Sequence, residues 1–178
     1  MHTLRCFLIA ILIPGSASLL PAQKEHRQTL TPAQVEQIRE AGIYPNDRLN
    51  LYTKFVDEYA QKIKDLSFRS HSTARAKKID DQLLDMTALM DELDANLEQY
   101  TDRKADVRAA LKKLNEAVPQ WVHILNALAG EPTFDESRKE AIESCEDLSG
   151  DVNRLLTEQT DYFNEHKDQR GQERALPN

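Results

Sequence analysis

Acidic side chains are concentrated in one stretch, and carboxylates bind calcium when they converge on one point. From Asp80 to Asp102 there are eight acidic residues and no basic one. A calcium loop needs a turn that brings its oxygens together, with glycine to permit the turn. This stretch lacks glycine and its apolar spacing is helical, which predicts a solvated or salt-paired face. The candidate ligands on that face are Asp80, Asp81, Asp85, Asp91, Glu92 and Asp94.

The histidines lack the spacing of a carboxylate-bridged metal bundle, in which Glu-x-x-His pairs face one another. None of the four beyond the N-terminal segment follows an acidic residue by three positions: His26, His71, His123 and His166. His123 lies within an apolar run and is interpreted as a packed or edge residue. Two cysteines, Cys6 and Cys145, cannot form a Cys-x-x-Cys-His haem attachment. The sequence therefore predicts no metal ligand and no cofactor-binding residue.

No nucleophile has the surroundings that would activate it. Ser144, Cys145 and Ser149 lie on a predicted helix, without the glycine-bounded turn of a Gly-x-Ser-x-Gly motif. Cys145 falls on the apolar stripe, which predicts a small buried apolar group. An intermolecular disulfide is the alternative. No catalytic residue is nominated, and the chain is predicted not to be an enzyme.

Aromatic residues mostly follow the apolar stripes, but Val118-Pro119-Gln120-Trp121 is less ordinary. Proline inside a helix removes a backbone hydrogen bond and kinks the axis. A kink there could expose Trp121 in a binding groove. The other interpretation is that Trp121 fills one end of the core.

The N-terminus has the layout of a secretory signal peptide. Arg5 precedes an apolar run from Cys6 to Ile13, which Pro14 and Gly15 end. That run is too short to span a bilayer, which takes about 20 residues. We expect cleavage after Ala22, within the window 17–22, and therefore a periplasmic or extracellular protein.

The chain without residues 1–22 is acidic, and this charge disfavours some classes of binding partner. The net charge of −7 includes Arg5, so loss of residues 1–22 makes the chain more negative still. Such a surface repels phosphate backbones and anionic lipid. Nucleic acid and stable membrane insertion are therefore not expected.

Caps and periodicity place the helices. Thr31, Pro32 and Gln34 form a helix start of the capping-box type, and Gly42 is a predicted C-terminal cap. A second helix is predicted from 45–47 to about Phe68, followed by a turn over 67–72. A capping box over 133–136 is predicted to open the last helix, which Gly150 interrupts.

Apolar residues recur every three or four positions from Ile79 to Leu128, in one register that runs through Lys104. Two structures fit this stretch. A continuous helix over 73–128 would be about 80 Å long. A turn at 100–103 would instead fold the acids Asp91, Asp94 and Glu98 back beside Lys104, Arg108 and Lys112, which favours a hairpin.

Together these elements predict an all-α fold: an antiparallel up-down-up-down four-helix bundle with a short extra N-terminal helix. The alternative is one long helix over 73–128 with the flanking helices packed on its two halves. The bundle domain is predicted to span 31–166, between a disordered N-terminal segment (23–30) and a disordered tail (167–178).

One short motif is shared with a known family. Leu30-Thr31-Pro32-Ala33-Gln34 resembles the Leu-Thr-x-x-Gln signature of small periplasmic helical proteins of the Spy/CpxP stress-chaperone type. The resemblance covers five residues and implies an ATP-independent holdase or envelope-stress protein. The expectation from the residues themselves is a non-enzymatic exported bundle that binds a protein partner or a second copy of itself. A metal-carrying or enzymatic bundle is the remaining alternative.

Overall fold

The computed structural model describes residues 27–171. Helices form in the order α1 (Pro32–Ala41), α2 (Pro45–Ser67), α3 (Thr73–Asp102), α4 (Arg108–Asn126) and α5 (Asp135–Glu165), followed by a 3-10 turn at Lys167–Gln169. No strand occurs within 27–171. The prediction of an all-α helical bundle is confirmed. The predicted signal peptide lies outside the described residues.

Local caps define α1 as the sequence predicted. The Thr31 hydroxyl accepts from the Gln34 amide at 3.3 Å, and the Gln34 side chain accepts from the Thr31 amide at 2.9 Å. Gly42 ends the helix with a φ of 54°, a conformation that glycine adopts without steric cost. The helix packs against α2 through its buried Ile38.

The four long helices occupy the corners of a square in the order α2, α3, α5, α4. Consecutive helices α3 and α4 are at opposite corners, and their Cα atoms come no closer than 8 Å in the described chain. α2 runs parallel to α4, because Asn46 meets Ala110 and Asp57 meets Trp121. α3 runs parallel to α5, because Asp80 meets Ser137 and Met90 meets Cys145.

The predicted turn between α3 and α4 is present, so the continuous 73–128 helix is wrong. Lys104, expected on the apolar register, lies in the turn with a φ of 57°. The pairing of acidic α3 with basic α4, on which the hairpin was inferred, does not form. The two helices are diagonal, and Arg108 instead pairs with Asp106 at 2.7 Å.

The predicted apolar stripes form the core. Leu83, Met86 and Leu93 of α3 and Leu111 and Leu114 of α4 are fully buried. Other buried positions come from every long helix: Leu49, Phe55, Ile63, Ile79, Leu97, Val118, Trp121, Leu125, Ala141, Cys145, Val152 and Phe163. Burial of this apolar surface stabilises the bundle.

The start of α4 is capped by side chains from other helices. Its N-cap residue, Val107, has no side chain that can accept a hydrogen bond. Buried Gln159 of α5 accepts from the Val107 amide at 3.0 Å and donates to the Ala105 carbonyl at 2.8 Å. Buried Asn46 of α2 accepts from the Ala110 amide at 3.0 Å. These amides satisfy backbone groups that the helix itself leaves unpaired.

Segments expected to be disordered pack on the bundle where they are described. Thr29 and Leu30 are buried, and the Tyr59 hydroxyl donates to the Thr29 carbonyl. At the other terminus, the Arg170 guanidinium donates to the Phe163 carbonyl at 2.7 Å, and the Gly171 amide donates to Asp106 at 2.9 Å. Residues 23–26 and 172–178 of these segments lie outside the described residues.

The predicted capping box over 133–136 does not form. α5 begins at Asp135, its N-cap is Phe134, and no side chain caps its first turn. Phe134 is buried in the core, so packing of its ring sets the entry to the helix.

Replacing Gln159 with leucine should destabilise the protein strongly. The change leaves the buried Val107 amide and Ala105 carbonyl without partners, at about 1–3 kcal/mol for each unpaired group. Chemical denaturation should report this loss. Gln120→Leu, on the exposed face of α4, is the control and should change the unfolding free energy by less than about 0.5 kcal/mol. A Gln159 variant as stable as the parent would contradict the capping role.

Candidate functional site

A groove runs along the outer junction of the parallel helices α3 and α5. Its first hollow has a volume of about 540 Å³. Small and apolar residues line its α3 side: Leu84, Thr87, Ala88 and Ala95. Acidic residues from both helices line the rest: Asp91, Glu92, Glu140, Glu143 and Asp147. We refer to this feature as the α3/α5 groove.

A second hollow of about 550 Å³ continues the groove toward the C-terminal ends of both helices. The two hollows share Asp91, Ser144 and Asp147, so they form one depression. At 1.5 Å per residue, the span of α5 from Glu140 to Arg154 makes the groove about 21 Å long. The length of this open groove matches that of a short polypeptide segment.

The lining of the groove is strongly negative. Eight acidic residues and two arginines line the two hollows in the described chain. Arg27 lies at one end, and Arg154 lies at the other, 2.6 Å from Asp151. The excess of carboxylates gives the groove an electrostatic preference for cations.

Burial, together with the concentration of carboxylates in the groove, disfavours the charged form of Asp94. Burial raises the pKa of Asp94, and the neighbouring charges of Asp151, Glu98 and Asp91 raise it further, against the opposing charge of Arg154. Its Oδ1 is buried and accepts no hydrogen bond from the described residues. The Asp94 carboxylate is therefore held in a site that disfavours its charge.

The acidic candidates from the sequence divide between two uses. Asp91, Glu92 and Asp94 line the groove. Asp80 accepts a hydrogen bond from Ser137, and Asp81 and Asp85 pair with Arg27. No group of three or more histidine, cysteine or acidic side chains within 27–171 has an arrangement that could hold a metal ion.

The histidines are dispersed over the surface. His71 contacts Glu131 at 3.1 Å, and Glu131 also pairs with the buried Arg75. His123 is exposed on α4. His166 stacks on the Tyr162 ring with centroids 4.2 Å apart. His26 lies outside the described residues.

Cys145 is a core residue, as the apolar stripe predicted. Its side chain is fully buried and its sulfur lies 3.6 Å from that of Met90. Burial, with a contribution from the charge of Glu146, raises the pKa of the thiol to about 12. The thiol is therefore protonated at neutral pH and unreactive. The alternative of an intermolecular disulfide is wrong for the folded chain, because no surface of the sulfur is accessible.

The alternative of a binding groove at Trp121 is wrong. Trp121 is fully buried, and its indole nitrogen donates to Asp57 at 3.2 Å. α4 continues unbroken through Pro119, which faces solvent. Trp121 therefore fills the core between α2 and α4.

The groove itself was not predicted. The acids at Glu140, Glu143 and Asp147 recur at three and four positions, which marks an acidic face of α5. Nothing local in the sequence indicates that this face adjoins α3.

Neither the protein-family models, nor the curated proteins, nor the solved structures include a match to this chain. No helix within residues 27–171 combines the length and apolar character needed to cross a bilayer.

Replacing Asp94 with asparagine should stabilise the protein at pH 7. Because folding raises the Asp94 pKa, the folded state holds this proton more tightly than the unfolded chain, and the charged form opposes folding. The penalty is relieved as the pH falls through the folded-state pKa toward 3.8. Thermal unfolding should therefore show a higher midpoint for the variant at pH 7 and a narrowing difference on acidification.

The control for this experiment is Asp65→Asn, which removes an exposed charge on α2. It should change the unfolding free energy by less than about 0.5 kcal/mol. A constant difference between the Asp94 variant and the parent at every pH would contradict the electrostatic explanation.

Gly150→Ala should stabilise α5 by about 1 kcal/mol, because alanine is the better helix former. A Cβ built at Gly150 meets no atom within 4 Å. Gly42→Ala is the matched comparison and should destabilise, because its φ of 54° strains any residue with a Cβ. Urea denaturation of both variants tests the pair. A destabilised Gly150 variant would contradict the open space around this residue.

Proposed function

We propose that this protein is an exported, non-enzymatic helical bundle that works by binding another protein in the α3/α5 groove. The observation that carries the proposal is the groove itself, an open trough with small and apolar residues on one side and acidic edges. It is built on two rigid helices, which present a preformed surface at little entropic cost on binding.

Export is supported by the N-terminal sequence. Arg5, the apolar run from Cys6 to Ile13 and the small residues up to Ala22 are typical of a signal peptide. Within 27–171, Cys145 is a free cysteine and not part of a disulfide. The bundle in this range therefore depends on packing for its stability. The expected location is the periplasm or the extracellular space.

The charge of the groove favours a different protein as the partner over a second copy of this chain. Two copies that met through this face would bring like carboxylates together, which is unfavourable. Nucleic acid and anionic lipid would be repelled for the same reason. Binding rather than catalysis is supported by the chemistry of the lining, where carboxylates lie on open edges and the nearby thiol of Cys145 is buried.

The stress-chaperone resemblance adds little to this choice. In the structure, Thr31 and Gln34 cap α1, and Leu30 is buried against the bundle. Those residues therefore have a local structural role that accounts for their presence. Suppression of the aggregation of a reduced, unfolded client protein at near-stoichiometric ratio would nevertheless support holdase activity.

Site-specific photo-crosslinking tests the proposal. A benzophenone amino acid at Ala95, exposed on the α3 side of the groove, should form a covalent adduct with a second polypeptide when the full chain is exported by its native cell. The same amino acid at Gln120, exposed on α4, is the control and should form none. Adducts absent at Ala95, or equally abundant at both positions, would contradict the proposal. An adduct of about twice the mass of the exported chain would indicate self-association instead.

A further inference from the structure

We propose that the α3/α5 groove receives a cationic segment of its partner, and that Arg27 of this chain occupies the place of one of the partner's cations. The inference rests on the proposed function and adds the chemistry of the partner and a competitor for the site. The competitor belongs to the N-terminal strap, defined as residues 27–31.

Arg27 already contacts the acidic surface beside the groove. Its guanidinium pairs with Asp85 and lies 3.4 Å from Asp81, and the residue lines the first hollow next to the apolar side of α3. These hydrogen bonds and charges raise the pKa of Arg27. An arginine held in this way shows that the surface accepts a guanidinium.

The strap can release Arg27 without unfolding the bundle. Residues 27–31 contain no helix, and their anchors to the core are Leu30 and the Thr29 carbonyl, which accepts from Tyr59. The Arg27 side chain is 41% exposed. Because solvent-exposed ion pairs contribute little stability, a partner's cation can replace this one at low cost.

The spacing of the acids suits a cationic segment. Glu140, Glu143 and Asp147 recur at three or four residues along α5, which is about 4.5–6 Å on a helix. Alternate side chains of an extended peptide are about 6.6 Å apart. A segment with arginine or lysine at every second position therefore places its cations near successive carboxylates, with its intervening residues toward Ala88 and Ala95.

Fluorescence anisotropy of a labelled ten-residue peptide of alternating arginine and serine tests the inference at about 0.15 M salt, where charges beyond about 8 Å are screened. The parent chain should bind the peptide, and Arg27→Ala should bind it at least about threefold more tightly because the competing cation is gone. Glu143→Gln combined with Asp147→Asn should weaken binding by a similar factor or more.

Two control variants distinguish a local effect of Arg27 on peptide affinity from an effect of the net charge of the chain. Arg39→Ala removes the same charge from α1, where Arg39 pairs with Glu36, and should leave the affinity within about twofold of the parent. Arg27→Lys keeps the charge and should bind nearly as the parent does. In the parent, the Nε–Hε NMR signal of Arg27 should shift toward that of an unpaired arginine as the peptide saturates the groove.

The outcomes distinguish this inference from the proposed function. Absence of peptide binding by the parent and by Arg27→Ala overturns the inference, while the crosslinking result at Ala95 stands by itself. Equal affinities of Arg27→Ala and the parent, or equal gains for Arg27→Ala and Arg39→Ala, overturn the role of Arg27. Weaker binding by Arg27→Ala does so too, because Arg27 would then contribute to the site.

Discussion

The diagonal placement of α3 and α4 is the constraint on which the rest of this structure depends. Their short connection has to cross the end of the bundle, and it buries residues 105–107. Buried backbone groups without partners are costly. Gln159 and Asn46, from the two helices that flank the crossing, supply the missing hydrogen bonds. The crossing is therefore held by tertiary contacts, together with a local hydrogen bond from the Arg108 amide to Asp106.

The crossing decides which charged faces become neighbours. Because α4 is on the opposite corner, α3 packs against α5, and the two helices run in the same direction. Both carry acids on their outer faces, so carboxylates from α3 and α5 face one another across the groove. Apolar burial beneath them, around Met90, Cys145 and Leu148, holds the helices together against this repulsion.

The groove lowers the stability of the fold through two residues in its lining, Asp94 and Gly150. Asp94 carries a charge where burial and like charges oppose it, and Gly150 weakens α5 where no neighbour requires glycine. Departures from the most stable choice are typical of surfaces retained for binding. The ion pairs at the ends of the groove, with Arg27 and Arg154, relieve part of the repulsion.

The helices and the core follow from the sequence alone, because apolar residues at three- and four-residue spacing define which face of each helix is buried. The capping box at Thr31 is equally local, and it is present. The turn after Asp102 is present too, but it was inferred from a charge pairing between α3 and α4 that does not form. The order of helices around the bundle is not local, since an apolar stripe is compatible with several neighbours. For that reason the expected contact between acidic α3 and basic α4 was wrong, and the groove with α5, the cap by Gln159 and the packing of the strap came only from the tertiary structure.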